Sequence, residues 1–160
     1  MDPNRINSGR TACVFSEKDG NSMDATNAVR EIPTIQCILS ISFPDEETAR
    51  NFAAEIDLLT GKSSRVFKPR IANEWLVDAV CMRDKSWDLN EVVSKLFDSI
   101  NNVKNQIKEL IVQYRGEVVI DIAVYETDTY PALGFSQETI QNICFFSASV
   151  GIDLVYQDIA

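Results

Sequence analysis

Two stretches with a period-two signature constrain this chain more than anything else in it. In "EVVIDIAVYE" the residues Val118, Ile120, Ile122 and Val124 recur at every second position, with Val119, Asp121, Ala123 and Tyr125 between them. "IQCILSISF" repeats the device, setting Cys37, Leu39, Ile41 and Phe43 against Gln36, Ser40 and Ser42. Such a pattern predicts extended strands with one covered face. A sheet with one apolar face needs a second layer to bury it.

The segments between the strands carry the helical period that can supply that layer. "PDEETARNFAAEIDLLTG" offers Asp45 as N-cap, acids in the first turn where the helix dipole favours them, and Ala49, Phe52, Ala53 and Ile56 on one face, with Gly61 closing it. Two strands are predicted next, about "SRVFKP" and "NEWLVDAVCM", the second with Trp75, Val77, Ala79 and Cys81 on one face. From Asp88 the apolar positions Leu89, Val92, Val93, Leu96, Ile100, Val103, Ile107, Leu110 and Tyr114 spell one long helix, or two joined near Asn101 and Asn102. Asp88 and Glu91 have the spacing of a capping box, and Glu91 to Lys95 is a favourable i,i+4 pair. After the alternating strand come a helix in "SQETIQNICFFSASVG", capped by Ser136 and closed by Gly151, and a last strand, "IDLVYQD".

The predicted order is therefore β-α-β-β-α-β followed by one α-β unit. We read an α+β domain built on a ferredoxin-like split βαβ sheet with an added C-terminal unit, its helices on one face. Residues 1–33, rich in Asn, Ser, Asp and Gly, read as a polar arm with a short strand at "TACVFS", and residues 34–160 as one domain. The Trp75-Leu76 pair, the amphipathic helix from Asp88, the alternating strand and "YPALGFSQETIQNICFFSASVGIDLVYQD" together resemble a bacterial domain-of-unknown-function family numbered 4279, over about residues 35–158. In that family the ending looks like a proline, an apolar pair, a capping serine, a helix, and a strand carrying an Asp such as Asp153. The chain departs from it at "FPDEE", where glycine is frequent, and at "TGKSSR", where a proline-threonine step is frequent. The family has no established chemistry, so the resemblance implies a fold and a bacterial origin and no activity.

The composition excludes much chemistry. The 160 residues contain no histidine, which removes the commonest general base, imidazole metal sites and the His-containing triads. The four cysteines, Cys13, Cys37, Cys81 and Cys144, form no C-x-x-C pair, and buried reduced thiols explain them best. No phosphate-cradling glycine loop is present, and Asp78, Asp121 and Asp153 do not resemble a calcium loop. We expect a protein that is not an enzyme and needs no cofactor or metal. The first twenty residues lack the apolar core of a signal peptide and no segment has membrane-span length, which sets the expectation of a cytoplasmic protein.

The charges carry the functional expectation. The net charge is −9, and after Arg115 there is no Lys or Arg, while Glu117, Asp121, Glu126, Asp128, Glu138, Asp153 and Asp158 all follow. "KSSRVFKPR" is the converse, with Lys62, Arg65, Lys68 and Arg70 and no acid. It reads as a protected edge strand, and nucleic-acid binding is disfavoured on so acidic a chain. If Val118 to Val124 face the helices, alternation turns Asp121 and Tyr125 outward, with Asp153, Val155 and Gln157 of the last strand. In the tryptophan strand it turns out Glu74, Leu76, Asp78 and Val80. The loop at Glu126, Asp128 and Tyr130 reads first as a turn and then as the rim of this face.

Glu74, Asp78, Asp121, Tyr125, Glu126, Asp128, Tyr130, Asp153 and Gln157 are thus the expected contact residues for a cationic protein partner. The most specific form of that reading is an immunity protein that neutralises a basic bacterial toxin such as a nuclease. The alternative is a ligand-sensing or adaptor domain. A solvated acidic face that serves only solubility accounts for the same pattern.

Overall fold

The computed structural model describes residues 30–126 and 130–156. Among them, five strands and four helices follow in the order β1 (Thr34–Phe43), α1 (Glu46–Thr60), β2 (Arg65–Phe67), β3 (Trp75–Lys85), α2 (Leu89–Ile100), α3 (Lys104–Tyr114), β4 (Glu117–Glu126), α4 (Gln137–Phe146) and β5 (Ser149–Tyr156). The result is a mixed α+β domain with one sheet of order β2-β3-β1-β4-β5. β1 pairs antiparallel with both β3 and β4, whereas β5 runs parallel to β4.

The covered face follows the alternation. Ile35, Cys37, Leu39, Ile41 and Phe43 of β1, with Val118, Ile120, Ile122 and Val124 of β4, are buried in one core. That core also takes Phe52 and Ile56 of α1, Leu89 to Ile100 of α2, Ile107 and Ile111 of α3, and Phe146 of α4. All four helices therefore cover the same side of the sheet. Burying an aliphatic side chain of this size contributes about 1.5–3 kcal/mol, so the rows on β1 and β4 dominate the choice of register.

The helix ends obey local rules. Asp45 accepts the amide of Thr48 at 2.8 Å and also its hydroxyl, while Gly61 adopts φ +66° and returns its N–H to Asp57. The long amphipathic stretch is two helices, parted by the turn at Asn101–Val103. Asp88 caps α2 through the Asn90 amide, and Lys95 meets Glu91 at 2.9 Å as well as Asp84 on β3 at 2.7 Å. The capping box is modified. Glu91 accepts from the hydroxyl of Ser86, and the same hydroxyl oxygen, not Glu91, receives the Asp88 N–H.

Three expectations from the sequence need correction. α4 does not run to Gly151; it stops at Phe146, where Ser147 takes the left-handed conformation at φ 53° and Gly151 falls inside β5. The cause is that Ser149 and Val150 gain a full set of strand partners on β4. Secondly, β3 does not keep one phase. Leu39 pairs with Val80 but the next residue, Ser40, pairs with Asp78, so Ala79 is an extra residue in a β-bulge. The phase inverts there: Trp75 and Val77, then Val80 and Met82, share the helix side, and Cys81 and Arg83 turn to the other. Thirdly, because of that inversion Cys81 is an exposed thiol, as is Cys144, and only Cys37 among the described cysteines is buried. Burial pushes the Cys37 thiol up to about 12, with the nearby Cys81 and Asp121 adding to the effect.

The segment before α4 is a strap across the start of α2. Ala132 donates its N–H to the Trp87 carbonyl at 2.7 Å and accepts from the Leu89 amide. The Asn90 side-chain oxygen then takes the Ser136 amide and the Thr139 hydroxyl, both at 2.8 Å. Ser136 completes the arrangement by capping α4 at Thr139.

Gly116 is the tightest point of the turn from α3 into β4. A Cβ there would lie 2.4 Å from Ile41 Cγ2 and 2.8 Å from the Phe43 ring, both fully buried. Gly116→Ala is expected to cost about 1–3 kcal/mol by overpacking. Calorimetry should show the Tm lowered by roughly 3–10 °C; an unchanged Tm would mean that this turn has room the geometry denies it.

Candidate functional site

The side of the sheet opposite the helices is covered by no described element. Pairing register maps it strand by strand. Across its middle run Cys81 on β3, Ile38 on β1, Asp121 on β4 and Gly151 on β5. One step along, Arg65 on β2, Asp78 on β3, Ser40 on β1, Val119 on β4 and Ser149 on β5 form the next row. On the other side of the middle row lie Arg83, Gln36, Ala123 and Asp153, followed by Lys85, Thr34, Tyr125 and Val155.

Ser40 is the centre of this map. It is almost fully buried between its neighbours, and its hydroxyl donates to Asp78 at 2.9 Å. The same hydroxyl lies near enough to Asp121 to favour its ionised carboxylate. One serine between two half-buried carboxylates has a single proton to give, so both acids cannot be satisfied by it while ionised. Accordingly, partial burial raises the Asp121 carboxyl above its ordinary range, Ser40 opposes this, and the charges of Asp78 and Asp153 add to it. Asp78 is also raised by burial, with Ser40 and the Arg65 guanidinium opposing. Among the described residues no group of three or more acids or thiols is placed to hold a metal ion.

The expected contact residues divide by location. Asp78, Asp121, Tyr125 and Asp153 share the uncovered face. Tyr125 donates its hydroxyl to Gln36 at 3.2 Å and lies under the Arg83 guanidinium, 5.0 Å from its ring centre. Glu74 is exposed just ahead of β3, and Glu126 is the last residue of β4. Tyr130 is 59% exposed beside the buried Pro131, at the start of the strap that carries the chain to the helix layer. Asp128 and Gln157 lie outside the described residues.

Sequence reasoning missed Ser40 as the link between two acids, and missed Arg65 and Arg83 as members of the face. The alternation already turned Ser40 outward, but its carboxylate neighbours come from strands 38 and 81 residues away, and only register brings them together. Arg83 reaches this side because of the bulge at Ala79. The face is therefore graded, with Arg65, Arg83 and Lys85 on β2 and β3, Asp121 and Asp153 on β4 and β5, and Asp78 on β3 between them.

A carboxyl whose folded pKa is raised contributes stability that is complete below its unfolded value and is lost as pH rises through the folded one. Asp121→Asn should thus raise the Tm at neutral pH, by roughly 1–3 °C after allowing for solvent screening of a half-exposed group. The advantage should shrink as the pH falls through the raised range in which the wild-type carboxyl takes up its proton. Calorimetry across that range checks both signs; a variant less stable at neutral pH would show that the ionised carboxylate supports the fold.

No curated protein and no solved structure matches this chain. A family model described as a domain of unknown function, DUF4279, matches residues 35–157, which is more than half of the chain and spans every described element from β1 to β5. The chain belongs to the DUF4279 family.

Proposed function

We propose that this protein is a non-enzymatic binding protein whose uncovered sheet face receives a cationic protein partner. Within that class its most specific role is that of a cytoplasmic immunity protein neutralising a basic bacterial toxin, for example a nuclease. The observation that carries the reading is the group of Asp78, Asp121 and Asp153 on a sheet face left without a covering layer, in a chain of net charge −9. Half-buried carboxylates competing for one serine proton gain more from an incoming Arg or Lys than solvated ones do, because the partner relieves an electrostatic deficit already present. The absence of histidine from the sequence weighs against general-base chemistry. The three cysteines among the described residues are all free thiols, which suits a reducing compartment.

The ferredoxin-like reading of the frame belongs here too. What supports it is the run β1-α1-β2-β3-α2/α3-β4, with β1 between β3 and β4, to which α4 and β5 add one parallel strand.

The test is co-purification with the product of the adjacent gene, at low and high salt. The complex should weaken as salt rises, and reversal to Lys at Asp121 and Asp153 together should slow association about tenfold or more at low ionic strength. A complex indifferent to both the reversals and salt would remove the sheet face from the interaction.

A second reading, a sensor of a small anionic ligand, is favoured by one feature. A cleft of about 470 Å³ between the end of α3, the start of β4 and the α4–β5 turn is lined by Lys108, Arg115, Ile111, Val118 and Phe146. In that case a screen of anionic metabolites should raise the Tm by several degrees at saturating ligand, and Arg115→Ala should abolish the shift.

A further inference from the structure

The two edges of the sheet are built differently. β2 is three residues long and lies in the segment containing Lys62, Arg65, Lys68, Pro69 and Arg70; short length, cations and proline all discourage the addition of another strand. β5 has none of these protections. It is eight residues long, is the outermost strand beside β4 among the described residues, and carries one charged residue, Asp153.

The helix side of β5 is also unfinished. Val150, Ile152 and Leu154 stand level with Ile120, Ile122 and Val124 of β4 and share their face. The β4 residues are at most 1% exposed, but their β5 neighbours are 37, 41 and 39% exposed. The helical cover thus ends one strand short, leaving an aliphatic row beside a line of backbone groups without strand partners among the described residues.

We propose that this edge pairs antiparallel with β5 of a second copy of the chain, about a twofold axis at Ile152, joining two five-stranded sheets into one. The strand is self-complementary in that register. Val150 faces Leu154 of the second copy and Ile152 faces its counterpart, so the exposed row continues without interruption across the axis. On the opposite face Gly151, which has no side chain, faces Asp153. The strand's only charged residue therefore meets a glycine and not its own like-charged copy. A glycine inside a strand is otherwise costly, and close approach of another strand is one of its recurring uses.

This assembly is independent of the cationic partner, and salt separates the two. Chains of net charge −9 repel one another, so the dimer tightens as salt rises, whereas a complex with a cationic protein weakens. An interface of one strand pair is smaller than the ~1,600 Å² of a standard interface, so the dimer is to be sought over a wide range of concentration.

Sedimentation equilibrium of the full chain over concentration should move from the 18.0 kDa of one chain to twice that mass, with more dimer at high than at low salt. Ile152→Lys, which sets two ammonium groups face to face at a position tolerant of exposure, should weaken association at least tenfold while the Tm holds. Asp153→Asn should leave the dimer intact. A single-chain mass at every concentration and salt would overturn the proposal. So would a dimer unaffected by Ile152→Lys, because the contact would then lie on another surface. Slow hydrogen exchange at β5 amides in a strictly monomeric sample would instead assign the edge to a segment of the same chain.

Discussion

Everything in this fold is referred to β1. It is the central strand, paired with β3 from Thr34 to Phe43 and with β4 from Thr34 to Ser42, and it places five consecutive alternate side chains, Ile35 to Phe43, in the core. A slip of one residue would turn that row out and bring Gln36, Ile38, Ser40 and Ser42 in, exchanging aliphatic burial for unpaired polar groups. The register of both neighbours is held by that penalty. Gly116 shows how close the packing is, since the turn into β4 passes the Ile41 and Phe43 side chains with no space for a methyl group.

The bulge at Ala79 gives the uncovered face its chemistry. β3 must pass Leu39 and Ser40 with one residue more than β1 has, and in doing so it keeps both Val77 and Val80 in the core, three residues apart on a strand. The consequence on the other side is that Asp78 and Cys81 bracket the bulge, and Arg83 arrives above Tyr125. An unbroken strand would have set Val80 in place of Cys81 and Met82 in place of Arg83. The graded face, basic toward β2 and acidic toward β5, is thus a by-product of a packing solution on the opposite side of the sheet.

The stretch "YPALGFS" resolves as structure before function. Its backbone closes on Trp87 and Leu89, and its capping serine shares Asn90 with Thr139, so the N-termini of α2 and α4 are held together by one side-chain amide. Within it Pro131 is buried, Ala132 bonds to the backbone at the start of α2, and Ser136 starts α4. The strap leads away from the acidic face, and the carboxylates that remain on that face come from the strands themselves.

Much of the architecture was legible along the chain. Asp45, Gly61, Asp88 and Ser136 mark helix ends because capping is settled within four residues, and the core faces of α1, α2 and β4 follow from periodicity alone. The end of α4 was not legible, because Gly151 is a better local stop than Ser147 and lost only to the pairing of Ser149 and Val150 with β4. The inversion at Ala79, the exposure of Cys81, the meeting of Asp78 and Asp121 at Ser40, and the bare aliphatic row of β5 were likewise decided in three dimensions. By itself the sequence determined which side chains must be buried and where each helix begins, since those are preferences of residues for their near neighbours and for water. Which strands lie side by side, in what register, and how far the helices reach over them was decided only by the packing of segments tens of residues apart.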